Sequence, residues 1–64
     1  MNFIIKTTTG EIETISEQNV REAFCTKKGK CFVRWFSDKK NEIRTCEVTK
    51  ETYDNIIHSF FFNS

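Results

Sequence analysis

The chain has 64 residues, with 10 Lys and Arg against 9 Asp and Glu, two Gly, no Pro and three Cys. That length holds one small domain, spanning 1–64, and excludes a Rossmann domain, a barrel or any two-domain enzyme. A chain this short buries only about 60% of its unfolded surface, so its core barely offsets the ordering entropy, and a partner or a second copy is expected to contribute stability.

Two β-branched stretches open the chain. Phe3-Ile4-Ile5-Lys6-Thr7 and Glu11-Ile12-Glu13-Thr14-Ile15 flank Thr9-Gly10, where glycine supplies the positive φ of a tight hairpin. With those two residues as the loop, Lys6 faces Glu13 and Ile4 faces Ile15. Ser16 then reads as an N-cap. Val20, Ala23 and Phe24 follow at helical spacing, and Ile15 with Val20 fits a hydrophobic staple. The spacing predicts a helix over 17–25.

Thr26-Lys27-Lys28-Gly29-Lys30 breaks that helix at Gly29. A second hairpin is predicted from Cys31–Ser37 and Glu42–Val48, turning through Asp38-Lys39-Lys40-Asn41. If Ser37 pairs with Glu42, then Phe36 faces Ile43, Trp35 faces Arg44 and Val33 faces Cys46. Thr49 is the next N-cap, and Tyr53, Ile56, Ile57 and Phe60 mark a helix stripe behind it. Glu11-Ile12-Glu13-Thr14 has an echo in Glu42-Ile43-Arg44-Thr45. The expected fold is therefore α+β, a ββα-ββα pseudo-repeat forming a four-stranded antiparallel sheet with two helices on one face.

Alternation divides the second hairpin into two faces. One carries Cys31, Val33, Trp35, Cys46 and Val48. The other carries Phe32, Arg34, Phe36, Ile43, Thr45 and Glu47. Helices cover one face only, so aromatic side chains remain on the surface, and such a patch marks an interaction site. With the Phe-rich end of the chain, the expected partner or dimer interface is Phe32, Arg34, Phe36, Ile43, Phe61 and Phe62.

Charge points to a second surface. Residues 25–46 hold five Lys and two Arg against Asp38 and Glu42, a local +5, and each flanking segment carries −2. Lys27, Lys28, Lys30 and Arg34 are the candidate nucleic-acid contacts, beside aromatics able to stack on unpaired bases. Lys28, Gly29, Phe32 and Val33 match positions of an RNA-recognition signature. Lys30 and Cys31 depart from it, and the βαββαβ order of that fold is absent. The basic clusters also lie at opposite ends of one strand, roughly 25–30 Å apart.

Catalytic groups are scarce. The single His58 has Asp54 four residues before it, an ordinary helix-surface pair. Cys25, Cys31, Cys46 and His58 lack the Cys-x-x-Cys spacing of a zinc knuckle. Glu11, Glu13 and Glu22 are acids with no structural assignment. No enzyme activity, metal or cofactor is expected.

Phe, Tyr, Met, Ile, Asn and Lys number 28, against six for Gly, Ala, Arg and Pro, with no Leu. Those residues have AT-rich codons. The expectation is a small protein-binding module of phage or mobile-element type, a homodimer by its surplus of apolar surface, that inhibits or adapts a host bacterial protein. The alternative is a single-stranded RNA-binding protein. An odd cysteine count, the lack of a signal peptide and the lack of an apolar stretch of about 18 residues point to the cytoplasm.

Overall fold

A computed structural model describes residues 1–62, with side chains through Phe60. Strands β1 (Asn2–Lys6) and β2 (Ile12–Ser16) form an antiparallel pair. A single 3₁₀ turn, Glu17–Asn19, leads into β3 (Val20–Cys25), β4 (Cys31–Ser37) and β5 (Glu42–Val48), which form a three-stranded antiparallel sheet in that order. Helix α1 (Lys50–Phe62) follows. Among the described residues the chain forms a small α+β domain with two sheets and a single helix, not a four-stranded sheet with two helices. A bridge between Thr7 and Val48 joins the end of β1 to the end of β5.

The first hairpin keeps its strands but shifts by one residue. Ile5 faces Glu13 and Phe3 faces Ile15, in place of the expected Lys6–Glu13 and Ile4–Ile15 pairs. The cause is a longer loop. Gly10 N–H donates to Thr7 C=O at 3.1 Å and Thr7 N–H to Glu11 C=O at 3.0 Å, and Gly10 has φ +98°. Thr8, Thr9 and Gly10 thus make a three-residue loop whose last residue must be left-handed. The Thr7 hydroxyl adds an acceptor for Glu11 N–H at 3.0 Å. One step of register exchanges the two faces of a strand. Phe3 and Ile5 are therefore buried, and Ile4 and Ile12 lie on the surface.

The predicted helix over 17–25 is the 3₁₀ turn and β3, and Ser16 makes no side-chain cap bond. Its helical spacing has a different origin. Val20 pairs with Trp35 and Glu22 with Arg34, so a bulge inserts one residue between them. A bulge breaks period-two alternation, and the half-buried positions Val20 and Ala23 end up three apart, as on a helix. Strand β4 then has hydrogen-bonding partners on both sides, which a helix at this position would deny it.

The β3–β4 turn repeats the first loop. Gly29 N–H donates to Thr26 C=O at 3.0 Å, Thr26 N–H to Lys30 C=O at 2.8 Å, and Lys30 N–H to Thr26 Oγ1 at 3.3 Å. Gly29 has φ +84°. Cys25 faces Cys31 across this hairpin, and the two form a disulfide, leaving Cys46 as the free thiol. The odd cysteine count therefore carries no argument for a reducing compartment. No helix among the described residues is long and apolar enough to cross a membrane.

The β4–β5 register is the expected one throughout, from Cys31–Val48 to Ser37–Glu42. Thr49 caps α1 by accepting from Thr52 N–H at 3.2 Å. The helix packs on β1, β3 and β4, burying Thr52, Ile56 and Ser59, one residue off the expected stripe, with Tyr53 packed alongside the core. The core is Phe3, Ile5, Ile15, Cys31, Val33, Trp35, Val48 and Ile56.

Candidate docking face and the network behind it

Because α1 covers the Val33–Trp35 side of the three-stranded sheet, the opposite side faces solvent. Alternation places Phe32, Arg34 and Phe36 of β4 there, beside Ile43, Thr45 and Glu47 of β5. The four described residues of the expected interface, Phe32, Arg34, Phe36 and Ile43, thus share one uncovered face. The side chains of Phe61 and Phe62 lie outside the described residues.

Strand β3 adds what the helical expectation hid. Phe24 pairs with Phe32 and Glu22 with Arg34. The two rings are stacked, with centroids 5.4 Å apart and planes at 16°. Arg34 Nη1 lies 3.3 Å from Glu22 Oε1, and its Nε donates to Thr45 Oγ1 at 3.3 Å. The face runs from the Phe24–Phe32 pair through this polar bridge to Phe36 and Ile43. Ile43 is 52% exposed and Phe24 37% exposed. The loop carrying Lys27, Lys28 and Lys30 projects beyond the ring pair and is solvent-exposed. Lys39 and Lys40 sit at the other end of β4, and Lys40 reaches Glu11 at 3.8 Å.

Behind the face, the first hairpin is fastened to β4 and β5 by a polar cluster. Glu13 Oε2 accepts from Ser37 Oγ at 2.7 Å and from Trp35 Nε1 at 3.4 Å. Arg44 Nη1 lies 3.8 Å from Glu13 Oε1 and donates to Glu11 Oε2 at 3.1 Å. The Arg44 guanidinium sits 5.5 Å from the Trp35 ring centroid, within cation–π range. The three acids without an assignment are thus all engaged: Glu11 and Glu13 with Arg44, and Glu22 with Arg34. The echo of Glu11–Thr14 in Glu42–Thr45 marks the two segments that meet at this cluster, not a repeated unit.

The Arg44 hydrogen bond holds the Glu11 carboxyl below its ordinary value of 4.5, aided by the charges of Arg44 and Lys40. A depressed folded-state value stabilises the fold above pH 4.5 and loses that contribution as pH falls below it. In thermal melts from about pH 5 to about pH 3, wild type is expected to lose stability more steeply than Glu11→Gln. Equal slopes would show that this carboxylate is not coupled to folding.

The candidate metal set does not assemble. Cys25 and Cys31 are bonded to each other, and no group of three His, Cys, Asp or Glu among the described residues is placed to hold a metal ion. Asp54 pairs with Lys50 at 2.8 Å. No protein-family model, curated protein or solved structure matches this chain.

Proposed function

We propose that the protein is a small non-enzymatic binding module that docks another protein through the outer face of β3–β4–β5. The observation that carries this reading is the row of exposed Phe24 and Ile43 and half-buried Phe32 and Phe36, on the sheet side to which the helix is not committed. Charge selects the partner. Lys27, Lys28 and Lys30 make no ion pair among the described residues and stand beside the ring pair, so the complementary surface is an apolar patch with an acidic rim. The AT-rich composition supports a phage or mobile-element product acting on a bacterial host protein as inhibitor or adaptor.

The single-stranded RNA reading uses the same residues and is less well supported. Base stacking needs an open ring face, whereas Phe24 and Phe32 turn a face to each other. Arg34 is already engaged by Glu22.

Salt and substitution separate the two. Proteins captured from a bacterial lysate are identified and one is purified for titration. Affinity is expected to fall at least tenfold in Phe24→Ser plus Ile43→Ser and to change little between low and physiological salt. If a 20-nucleotide single-stranded RNA binds instead, with affinity falling steeply over that salt range and abolished by Lys28→Glu plus Lys30→Glu, the protein-docking reading is wrong. Binding of neither also overturns it, and a stable dimer lost in the Phe24/Ile43 variant assigns the face to self-association.

A further inference from the structure

The three-stranded sheet ends in two edges of different kinds. Thr26 N–H donates to Lys30 C=O at 2.8 Å, which makes those two a hydrogen-bonded pair. Counted back along β3 in twos, Phe24 and Glu22 turn their N–H and C=O groups toward β4, and Ala23 and Cys25 turn theirs outward. The far edge, β5, is met at its end by β1, where Thr8 N–H donates to Glu47 C=O at 3.1 Å and Thr49 N–H to Lys6 C=O at 3.0 Å. Nothing comparable meets β3. It pairs with β4 alone, and no hydrogen bond outside that ladder involves the backbone of Ala23 or Cys25 among the described residues.

The helix does not run along this edge. It packs on β3 and on the neighbouring β4 alike, and so crosses the inner face of the sheet. Arg21, Glu22, Phe24 and Cys25 are exposed and Ala23 is half-buried. On the inner side of the edge, Val20, Arg21, Glu22 and Ala23 of β3 and Ile57 and Phe60 of α1 line a surface hollow of about 260 Å³. On the outer side stands the Phe24 ring. Both ends of the edge are basic. Arg21 lies at one and Lys27, Lys28 and Lys30 at the other, none of them in an ion pair among the described residues.

We propose that the β3 edge takes an extended, acid-flanked segment of another protein, added to the sheet as a fourth strand. Ala23 and Cys25 offer two donors and two acceptors at strand spacing, which an extended backbone matches. Side chains of the added strand alternate between the inner hollow and the flank of the Phe24 ring, so both positions favour apolar residues. Acidic residues before and after them meet Arg21 and the lysine loop, about six residues apart along the strand at ~3.3 Å each. Charge disfavours a second copy of this chain. Antiparallel pairing centred on Phe24 sets Arg21 of each copy against Lys27 of the other; centred on Glu22 it sets that acid against itself; centred on Ala23 it sets Glu22 against the Phe24 ring. The proposal goes beyond docking on the outer face, since it uses the backbone edge and shares only Phe24 with that surface.

The probe is a library of random dodecapeptides displayed on phage and selected on the full chain, with enriched sequences resynthesised and titrated. Enriched peptides are expected to carry alternating apolar residues between Asp or Glu. On the wild-type chain they should slow amide exchange at Ala23 and Cys25 and leave Phe24, already bonded to β4, unchanged. Two variants separate backbone from charge. Ala23→Pro removes one outward N–H and no β3–β4 bond, and Lys27→Glu plus Lys28→Glu alters only exposed loop positions. Each is expected to bind at least tenfold more weakly, with the far-ultraviolet circular dichroism of wild type, whereas Ile43→Ser binds as wild type does. Failure to enrich any peptide, or binding that leaves Ala23 and Cys25 unprotected, overturns the proposal. Binding lost in the lysine variant but unchanged in a folded Ala23→Pro also overturns it, by reducing the site to a charge contact. Protection of the same two amides in a peptide-free dimer overturns it as well, by assigning the edge to a second copy.

Discussion

Trp35→Ala is expected to unfold a large fraction of the chain at 25 °C. Trp35 is fully buried at the centre of β4, packed in one cluster with Ile5, Val33 and Ile56. Removing a buried ring of that size costs about 3–5 kcal/mol. At roughly 0.05–0.15 kcal/mol per residue, 64 residues carry about 3–10 kcal/mol in all. The substitution therefore consumes between a third and the whole of the stability. Urea denaturation followed by circular dichroism is the measurement, since the only tryptophan is lost. Trp35→Phe keeps most of the apolar volume and deletes the Nε1–H donated to Glu13, and its cost is expected nearer 1–2 kcal/mol. A loss below 1 kcal/mol for the alanine variant would mean that the sheet and helix do not close around this ring.

The second large effect is expected at Glu13, whose side chain is 12% exposed. Glu13→Ala leaves the Trp35 indole N–H and the Ser37 hydroxyl without their acceptor, and removes one carboxylate from Arg44. Unsatisfied buried donors cost about 1–3 kcal/mol each, and these share one acceptor, so about 2–4 kcal/mol is expected. Glu13→Gln retains an acceptor oxygen at the same reach and should recover about half of the loss. Trp35 fluorescence reports both unfolding and the changed surroundings of the indole. If Glu13→Ala is neutral, the first hairpin is held by its apolar face alone.

The reach of sequence reasoning follows the range of the interactions involved. Phe32, Arg34, Phe36 and Ile43 could be placed on one face because alternation and a turn at Asp38–Asn41 are local properties, and the pairing is as expected. Phe24 and Glu22 were missed because a bulge gave β3 a helical spacing. One local signal pointed the other way. Thr7-Thr8-Thr9-Gly10-Glu11 and Thr26-Lys27-Lys28-Gly29-Lys30 share Thr and Gly three apart, and both fold as the same three-residue hairpin loop. With Cys25 and Cys31 placed symmetrically about the second copy, that pattern identifies a hairpin rather than a helix end.

By itself the sequence determined the strand pair Cys31–Ser37 with Glu42–Val48, the Thr49 cap and the last helix. Each depends on alternation, a turn or a cap within a few residues. Tertiary structure decided that 20–25 is a strand, because β4 needs hydrogen-bonding partners on both edges. It decided which sheet face is covered, because one helix can cover only one. It also drew Glu11 and Glu13 to Arg44 and Trp35, across more than twenty residues of chain, where only the packed fold brings an acceptor to a buried donor.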